Sequence, residues 1–247
     1  MEAIVYIGHG SRSPKGNELF IQMIEKAMER VEAPIQEIGF LELVTPTIPE
    51  AIETAIQKGA TTVTVIPVLL LAGVHSNQDI PERIREVKQK HPDITFHYGK
   101  PLGPDVLLAD ILQNRLQEQG YRAGDDTAVL LTGHGSRDPE APAAFRELTK
   151  LLQLPNVHPC FLKMSEPSFE GELKRLSSDG FREIYVLPYL LFTGAFTGMM
   201  QDEVDNVMGR NSDTRVILCK ALGFPEELVQ LLVKRVGEAK ALQEEIR

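Results

Sequence analysis

Three side chains with metal-binding or proton-accepting chemistry follow three apolar stretches in the first half of the chain. His9 comes directly after residues 3–8, Glu42 lies at the end of residues 35–43, and His75 follows residues 63–71. Two imidazoles and a carboxylate can bind a divalent first-row metal, and an imidazole with a reference pKa of about 6.5 can accept a proton near neutral pH. The residue types therefore suit metal handling, proton transfer or both.

The segment Gly8-His-Gly-Ser-Arg12 is open to other interpretations. It has no serine in the position that a GxSxG nucleophile elbow requires. Its glycines could cradle a phosphate at a helix start, although their spacing matches neither the P-loop nor the dinucleotide pattern. A third interpretation is a simple turn in which Arg12 pairs with a carboxylate.

The strands and helices predicted around His9, Glu42 and His75 indicate whether the three side chains can lie close together. Residues 63–70 carry no charge, which favours a strand buried on both faces of a parallel sheet. Asp79-Ile-Pro-Glu82 then predicts a helix start with Asp79 as its cap, which leaves His75 in a loop. Because the carboxyl ends of parallel strands share one edge of a sheet, His9, Glu42 and His75 are expected to converge there.

Helical and strand patterns alternate through the first half of the chain. Apolar residues at helical spacing cover 20–31, a capping box at Thr47 to Glu50 opens a second helix, and Gly59 is expected to close it. Residues 94–98 predict a fourth strand and residues 105–119 a further helix. This alternation indicates an α/β fold with a parallel sheet and helices on both faces.

The second half of the chain repeats the first. Residues 5–12 recur at 130–137 with the same Gly-His-Gly-Ser-Arg segment, and blocks 39–46, 65–73 and 99–103 recur in the same order at 160–167, 186–194 and 219–223. A duplicated module is the simplest explanation. We therefore expect two similar domains, 1–122 and 123–247, each with a four-stranded parallel sheet, facing each other across a cleft.

The two modules differ at the residues that could do chemistry. His9 corresponds to His134, but Glu42 corresponds to Lys163 and His75 to Phe196. An ammonium group repels a cation and a phenyl ring has no lone pair. The sequence therefore predicts one site per chain, in the first module, with a degenerate counterpart in the second.

Composition restricts the classes of partner. The formal net charge is −9, which argues against a nucleic-acid partner, and the two cysteines form no CxxC pair. The apolar stretch from Val63 to Val74 is too short to cross a membrane, and no export signal follows Met1. We expect a cytoplasmic protein with no membrane partner.

Three motifs occur in order along the first half of the chain: HGSR after the first strand, FLEL before Pro46, and the PVLLLAGVH run followed by DIP. With these motifs the chain resembles the sirohydrochlorin chelatases, the class II tetrapyrrole chelatases, over nearly its whole length. The resemblance implies two chelatase-like domains, His9 and His75 as the catalytic pair, and Glu42 as the acidic partner at the metal. A histidine-rich tail and a cysteine cluster, found in some cobalt-inserting relatives, are missing from the sequence, which favours iron.

The resemblance implies insertion of Fe²⁺ into sirohydrochlorin to form sirohaem, with cobalt insertion or a non-enzymatic metal or tetrapyrrole carrier as alternatives. No cofactor beyond the substrate metal, Fe²⁺ or Co²⁺, is expected, and the protein is expected to be a monomer. A tetrapyrrole has apolar faces and carboxylates at its edge. The residues expected to contact it are Arg12, Leu43, Val74, Arg137 and Phe196.

Overall fold

A computed structural model describes residues 1–138, 141–192, 194–210, 213–242 and 246. Within these residues, eight strands and eight helices alternate. Their bounds are β1 Glu2–Gly8, α1 Pro14–Met28, β2 Ile35–Phe40, α2 Ile48–Gln57, β3 Thr62–Pro67, α3 Ile80–Lys90, β4 Thr95–Tyr98, α4 Val106–Glu118, β5 Thr127–Gly133, α5 Ala141–Leu151, β6 Val157–Phe161, α6 Phe169–Ser178, β7 Glu183–Pro188, α7 Ala195–Arg210, β8 Arg215–Leu218 and α8 Glu226–Leu242. A π-helical turn, His75–Asp79, directly precedes α3.

The chain forms two compact units of the same design. One comprises Met1–Gly103 with Glu226–Arg247, and the other comprises Pro104–Pro225. The first contains a parallel sheet in the order β2-β1-β3-β4, and the second contains one in the order β6-β5-β7-β8. The predicted fold class, α/β with two similar four-stranded parallel sheets, is therefore confirmed.

The compact units differ from the boundaries 1–122 and 123–247 that the sequence repeat predicts. Helix α4, which ends the first repeat, belongs to the second unit, and α8, which ends the second repeat, belongs to the first. Two arginines at equivalent places hold these helices. Arg235 of α8 donates to the carbonyls of Pro101 and Leu102, and Arg115 of α4 donates to those of Ala221 and Leu222.

Helices cover both faces of the sheet in the first unit. Alternate residues of β1, such as Val5 and Ile7, pack with the apolar sides of α2 and α3 in one core. Helices α1 and α8 pack together on the opposite face. Strand β1 is central, and its last residues pair with Phe40 of β2 and Pro67 of β3. Residues that follow these three strands therefore start from neighbouring points on one edge.

Several local predictions are confirmed. The carboxylate of Glu50 accepts a hydrogen bond from the backbone N–H of Thr47 at 2.7 Å, which lowers the pKa of Glu50. Gly59 follows the end of α2 with φ of +96°, and Asp105 caps α4 by accepting from the N–H of Leu107. Among the described residues, no helix has the length and apolar character needed to span a membrane.

Candidate active site

Close approach of two backbone segments brings His9 beside Glu42. The N–H of Glu42 donates to the His9 carbonyl at 3.1 Å, which continues the β1–β2 pairing beyond the ends of both strands. Gly10 makes this approach possible, because its φ is +89° and an added Cβ would lie 1.9 Å from the Glu42 carbonyl oxygen. The glycine after His9 in the sequence is therefore required by geometry.

The two nitrogens of the His9 ring have different neighbours. Nδ1 lies 3.1 Å from the carbonyl oxygen of Gly10, and Nε2 lies 3.5 Å from Oε1 of Glu42. A carbonyl oxygen can only accept a hydrogen bond, so the contact to Gly10 favours the tautomer that carries its proton on Nδ1. The neutral ring then presents the Nε2 lone pair next to the Glu42 carboxylate.

The sequence predicted that His75 lies in a loop, but in the structure His75 is the first residue of the π-helical turn. Asp79 does not cap the helix either, because helical backbone already precedes it and its side chain makes no cap hydrogen bond. Its Oδ2 instead lies 2.7 Å from Nδ1 of His75. A π-helical turn inserts one extra residue into a helix and frequently marks a functional site.

The two imidazoles meet at the edge of the sheet. Their ring centroids are 5.0 Å apart, with an interplanar angle of 81°. The side chains of His9, His75 and Glu42 are 43%, 48% and 53% exposed, so a ligand from solvent can reach all three. In the part of the chain that the structure describes, no group of three or more His, Cys, Asp or Glu side chains is arranged to hold a metal ion by itself.

The second unit reproduces this geometry with different chemistry. The rings of His134 and Phe196 are 5.0 Å apart at 83°, and Nδ1 of His134 lies 3.1 Å from the Gly135 carbonyl. Nζ of Lys163 lies 5.2 Å from the centroid of the Phe196 ring. The correspondence predicted from the repeat is therefore present in space.

Apolar side chains are exposed beside both edges. Leu43, directly after Glu42, has φ of +66° and is 57% exposed, and Met164, directly after Lys163, has φ of +60° and is 56% exposed. Strained backbone with an exposed apolar side chain suits a ligand contact more than a packing role. Sequence reasoning identified Leu43 and missed Met164, although the repeat pairs the two positions.

The other four residues expected to contact a tetrapyrrole differ in how exposed their side chains are. Arg12 and Arg137 are exposed at equivalent positions of the two Gly-Ser-Arg segments, whereas Val74 and Phe196 are partly buried. Both cysteines are buried. Burial raises the pKa of the Cys160 and Cys219 thiols to about 12.

Comparison with known proteins connects this geometry to one family. The sequence profile of the family described as CbiX matches residues 3–119 and 128–239. A sirohydrochlorin ferrochelatase from Priestia megaterium is 34% identical over 240 residues, which cover 96% of this chain and 90% of that protein. A sirohydrochlorin cobaltochelatase from the same organism is 32% identical over 246 residues, with 96% and 80% covered.

Solved structures agree with the sequence comparisons. SirB from Bacillus subtilis with Fe³⁺ superposes on this chain with a TM-score of 0.90 at 32% sequence identity. The alignment covers 100% of this chain and 99% of the SirB chain. A cobalt complex of the sirohydrochlorin chelatase SirB gives a TM-score of 0.83 with the same coverage. The similarity therefore extends over both compact units.

Proposed function

This chain belongs to the CbiX family, and we propose on that basis that it inserts divalent iron into sirohydrochlorin to form sirohaem and releases two protons. The observation that carries the proposal is the pair of imidazoles, His9 and His75, whose rings are 5.0 Å apart at an exposed edge of the sheet. The reaction needs groups that hold a metal loosely and groups that accept the protons of two pyrrole nitrogens. An imidazole can do both.

The Nδ1 contacts of the two rings leave the lone pair of each neutral imidazole on Nε2. Nδ1 of His75 donates to Asp79, and Nδ1 of His9 is held by the Gly10 carbonyl. Histidines that bind metals commonly donate their other ring N–H to a carboxylate or a backbone carbonyl. Both neutral rings therefore carry their lone pair on Nε2, where a metal ion or a proton can bind.

Glu42 supports metal binding through its distance from His9. Its Oε1 is 3.5 Å from Nε2 of His9. Two ligand atoms that are each about 2.1 Å from a metal in tetrahedral geometry are about 3.4 Å apart. A cation between them would also relieve the repulsion between the lone pair and the carboxylate. We propose that His9, Glu42 and His75 bind the substrate metal as it enters. The three side chains do not form a complete metal site by themselves, so they can release the metal to the macrocycle.

The imidazoles then act as proton acceptors. As the metal moves from Nε2 to the four nitrogens of the tetrapyrrole, the two pyrrole N–H groups lose their protons and the Nε2 lone pairs become available to take them. Glu42 stabilises the positive charge of His9 when that ring is protonated. The catalytic roles fall to His9 and His75.

Substrate contacts are proposed for residues near this edge and for their repeat equivalents. Leu43, Val74 and Phe196 would contact the apolar faces of the macrocycle, and Arg12 and Arg137 would pair with its carboxylates. The exposure of Leu43 at a positive φ supports this assignment. Location in the cytoplasm and a monomeric state remain predictions.

Cobalt insertion is the second candidate. A cobaltochelatase relative and a cobalt complex of SirB favour it, and nitrogen and carboxylate ligands bind both metals. Metal-free sirohydrochlorin mixed with Fe²⁺ or with Co²⁺ without oxygen, and followed by its absorption spectrum, compares the two. The metal with the larger kcat/KM at equal free concentration identifies the better substrate.

The same assay separates a catalyst from a carrier. A carrier would not accelerate insertion above the rate without protein. His9→Ala and His75→Ala should remove most of the acceleration while the circular dichroism spectrum stays unchanged, because both side chains are about half exposed. His134→Ala is the matched control and should retain most of the activity. Equal losses from all three variants would contradict the assignment to the first unit.

A further inference from the structure

The π-helical turn at His75–Asp79 has a carbonyl that the helix backbone cannot satisfy. The N–H of Ile80 donates to the His75 carbonyl, so it is not available to the Ser76 carbonyl. The next donor in this register would be residue 81, but Pro81 has no N–H. Ser76 is 1% exposed, so water cannot easily supply the missing hydrogen bond. A donor must come from another element.

Tyr98, the last residue of β4, provides that donor. Its hydroxyl donates to the Ser76 carbonyl oxygen at 2.8 Å, and its ring packs against the core of the first unit. Burial raises the pKa of Tyr98, which keeps the hydroxyl protonated and able to donate. The side chain therefore ties the π-helical turn to the edge strand of the sheet.

The second unit has neither a tyrosine nor a π-helical turn, within its described residues, at the equivalent positions. Tyr98 pairs with Val65 across the first sheet as Leu218 pairs with Val186 across the second, so the two residues are equivalent. Leu218 has no hydroxyl, and α7 is α-helical throughout its described length. The first unit therefore has His75, the tyrosine and the π-helical turn together. The second unit has Phe196, Leu218 and a regular α-helix at the equivalent places.

The buried residues of the two helices show where the extra residue lies. Ile80, Ile84 and Val87 of α3 are buried at the same spacing as Met200, Val204 and Val207 of α7. However, Ile80 follows His75 by five residues, whereas Met200 follows Phe196 by four. The first unit therefore accommodates one additional residue between its aromatic ring and its core helix.

We propose that Tyr98 is a positioning residue for His75, and that its hydroxyl fixes the π-helical turn in the register that directs the imidazole toward His9. The proposal rests on the proposed function of His75 in binding the metal and accepting a proton. Tyr98 acts through the Ser76 backbone and not on the substrate. Its loss should weaken metal binding and turnover and leave the affinity for the macrocycle unchanged.

Tyr98→Phe removes only the hydroxyl and is the test variant. Tyr6→Phe is the matched control, because Tyr6 is a buried tyrosine of the same sheet whose hydroxyl donates to Oε1 of Gln36 at 2.8 Å, away from the turn. Net loss of one hydrogen bond corresponds to a change of about fivefold to tenfold in an equilibrium constant. We expect Tyr98→Phe to lower Co²⁺ affinity and kcat by about that factor with KM for sirohydrochlorin unchanged, and Tyr6→Phe to change none of them.

Amide hydrogen exchange gives a readout that does not depend on activity. Tyr98→Phe should accelerate exchange in a peptide covering residues 73–84, and Tyr6→Phe should not. Tyr98→Leu, which copies the residue at position 218, should behave like Tyr98→Phe. The proposal would be overturned if the Tyr98 variants matched Tyr6→Phe in Co²⁺ affinity, kcat and exchange rate. It would also be overturned if only Tyr98→Leu lowered Co²⁺ affinity and kcat, because the ring and not the hydroxyl would then be responsible. Absence of insertion by the wild-type protein would instead contradict the proposed function and leave the exchange test of Tyr98 intact.

Discussion

Nδ1 of His75 lies 2.7 Å from Oδ2 of Asp79, four residues further along the helix that His75 opens. A carboxylate that is ionised can only accept, so the proton of this pair lies on Nδ1 and the lone pair of the ring lies on Nε2. His9 has a neutral backbone carbonyl in the same place, from Gly10. The two imidazoles are therefore supported by partners of different charge.

Removal of the Asp79 carboxylate should weaken the site without touching its metal ligands. Asp79→Ala is expected to reduce Co²⁺ affinity by about 10-fold to 100-fold, the range typical of partners that orient metal-binding histidines. Asp79→Asn should fall between that variant and the wild type, because an amide oxygen still accepts the Nδ1 proton. Isothermal titration with Co²⁺ measures the affinities.

The control for Asp79 is another imidazole–carboxylate contact in the same unit. Nε2 of His91 lies 3.0 Å from both carboxylate oxygens of Glu53, away from the edge of the sheet that carries His9. Glu53→Gln should leave Co²⁺ affinity unchanged. An equal loss in Glu53→Gln and Asp79→Asn would show that the effect is general destabilisation and not orientation of His75.

Gly10 should be essential because of the space around it as well as its backbone conformation. Gly10→Ala would place a Cβ 1.9 Å from the Glu42 carbonyl oxygen, so the His9 loop and the Glu42 loop must separate. Gly180 has nearly the same φ, +92° against +89°, but an added Cβ there meets nothing within 4 Å. We expect Gly10→Ala to abolish most insertion activity and Gly180→Ala to lower only stability, by about 1 kcal/mol. Similar activity in both variants would remove the steric argument.

The stability of the protein should depend on pH through His158, a residue of the second unit outside the candidate site. Burial and then the Arg175 guanidinium lower the pKa of His158 from its ordinary value of about 6.5, against weaker opposing effects of Glu172 and Asp179. The unfolded chain therefore binds more protons below about pH 6.5, and the contribution of His158 to stability is lost as the pH falls through its folded-state pKa. Urea unfolding at pH 8 and pH 5 should show a larger loss for the wild type than for His158→Gln. Equal losses would contradict the prediction.

The sheet and the positions of His9, Glu42 and His75 could be predicted from the sequence because they follow from periodicity. The uncharged stretch at 63–70, the alternating helical patterns and the repeated blocks predict the topology, and parallel strands bring their carboxyl ends to one edge. The degenerate pair His134 and Phe196 could also be predicted, since it needs only the alignment of the two modules. The structure shows both pairs of rings at the same 5.0 Å separation.

The remaining features depend on registers that a sequence pattern does not reveal. Asp79 before Ile-Pro is typical of a helix cap, yet helical backbone already begins before it, at Val74, and the π-helical turn follows directly. The role of Tyr98 follows only from the missing N–H of Pro81 and from a strand that lies next to the turn in space. Assignment of α4 and α8 to the compact units is likewise a matter of packing, and each is held by an arginine bound to loop carbonyls.

The broken symmetry of the repeat predicts the number of metal sites. If His9, Glu42 and His75 hold the metal, titration with Co²⁺ should show one specific site per chain although the fold is duplicated. In the second unit the ammonium of Lys163 lies 5.2 Å from the Phe196 ring centroid, and that ring offers no lone pair. Affinity should fall as the pH drops through the imidazole range, because protons and the metal compete for the same nitrogens.

Variants in the two units test this stoichiometry from both directions. His75→Ala should remove the single site, and Phe196→His should not create a second, because Lys163 still repels the cation. Lys163→Glu together with Phe196→His would supply an imidazole and a carboxylate next to His134, whose ring already has the orientation of His9. That double variant should gain a second, weaker Co²⁺ site, since neither Met199 nor Met200 can support the new imidazole as Asp79 supports His75. Two equivalent sites in the wild type, or a site that survives His75→Ala, would show that the histidines accept protons but do not bind the metal.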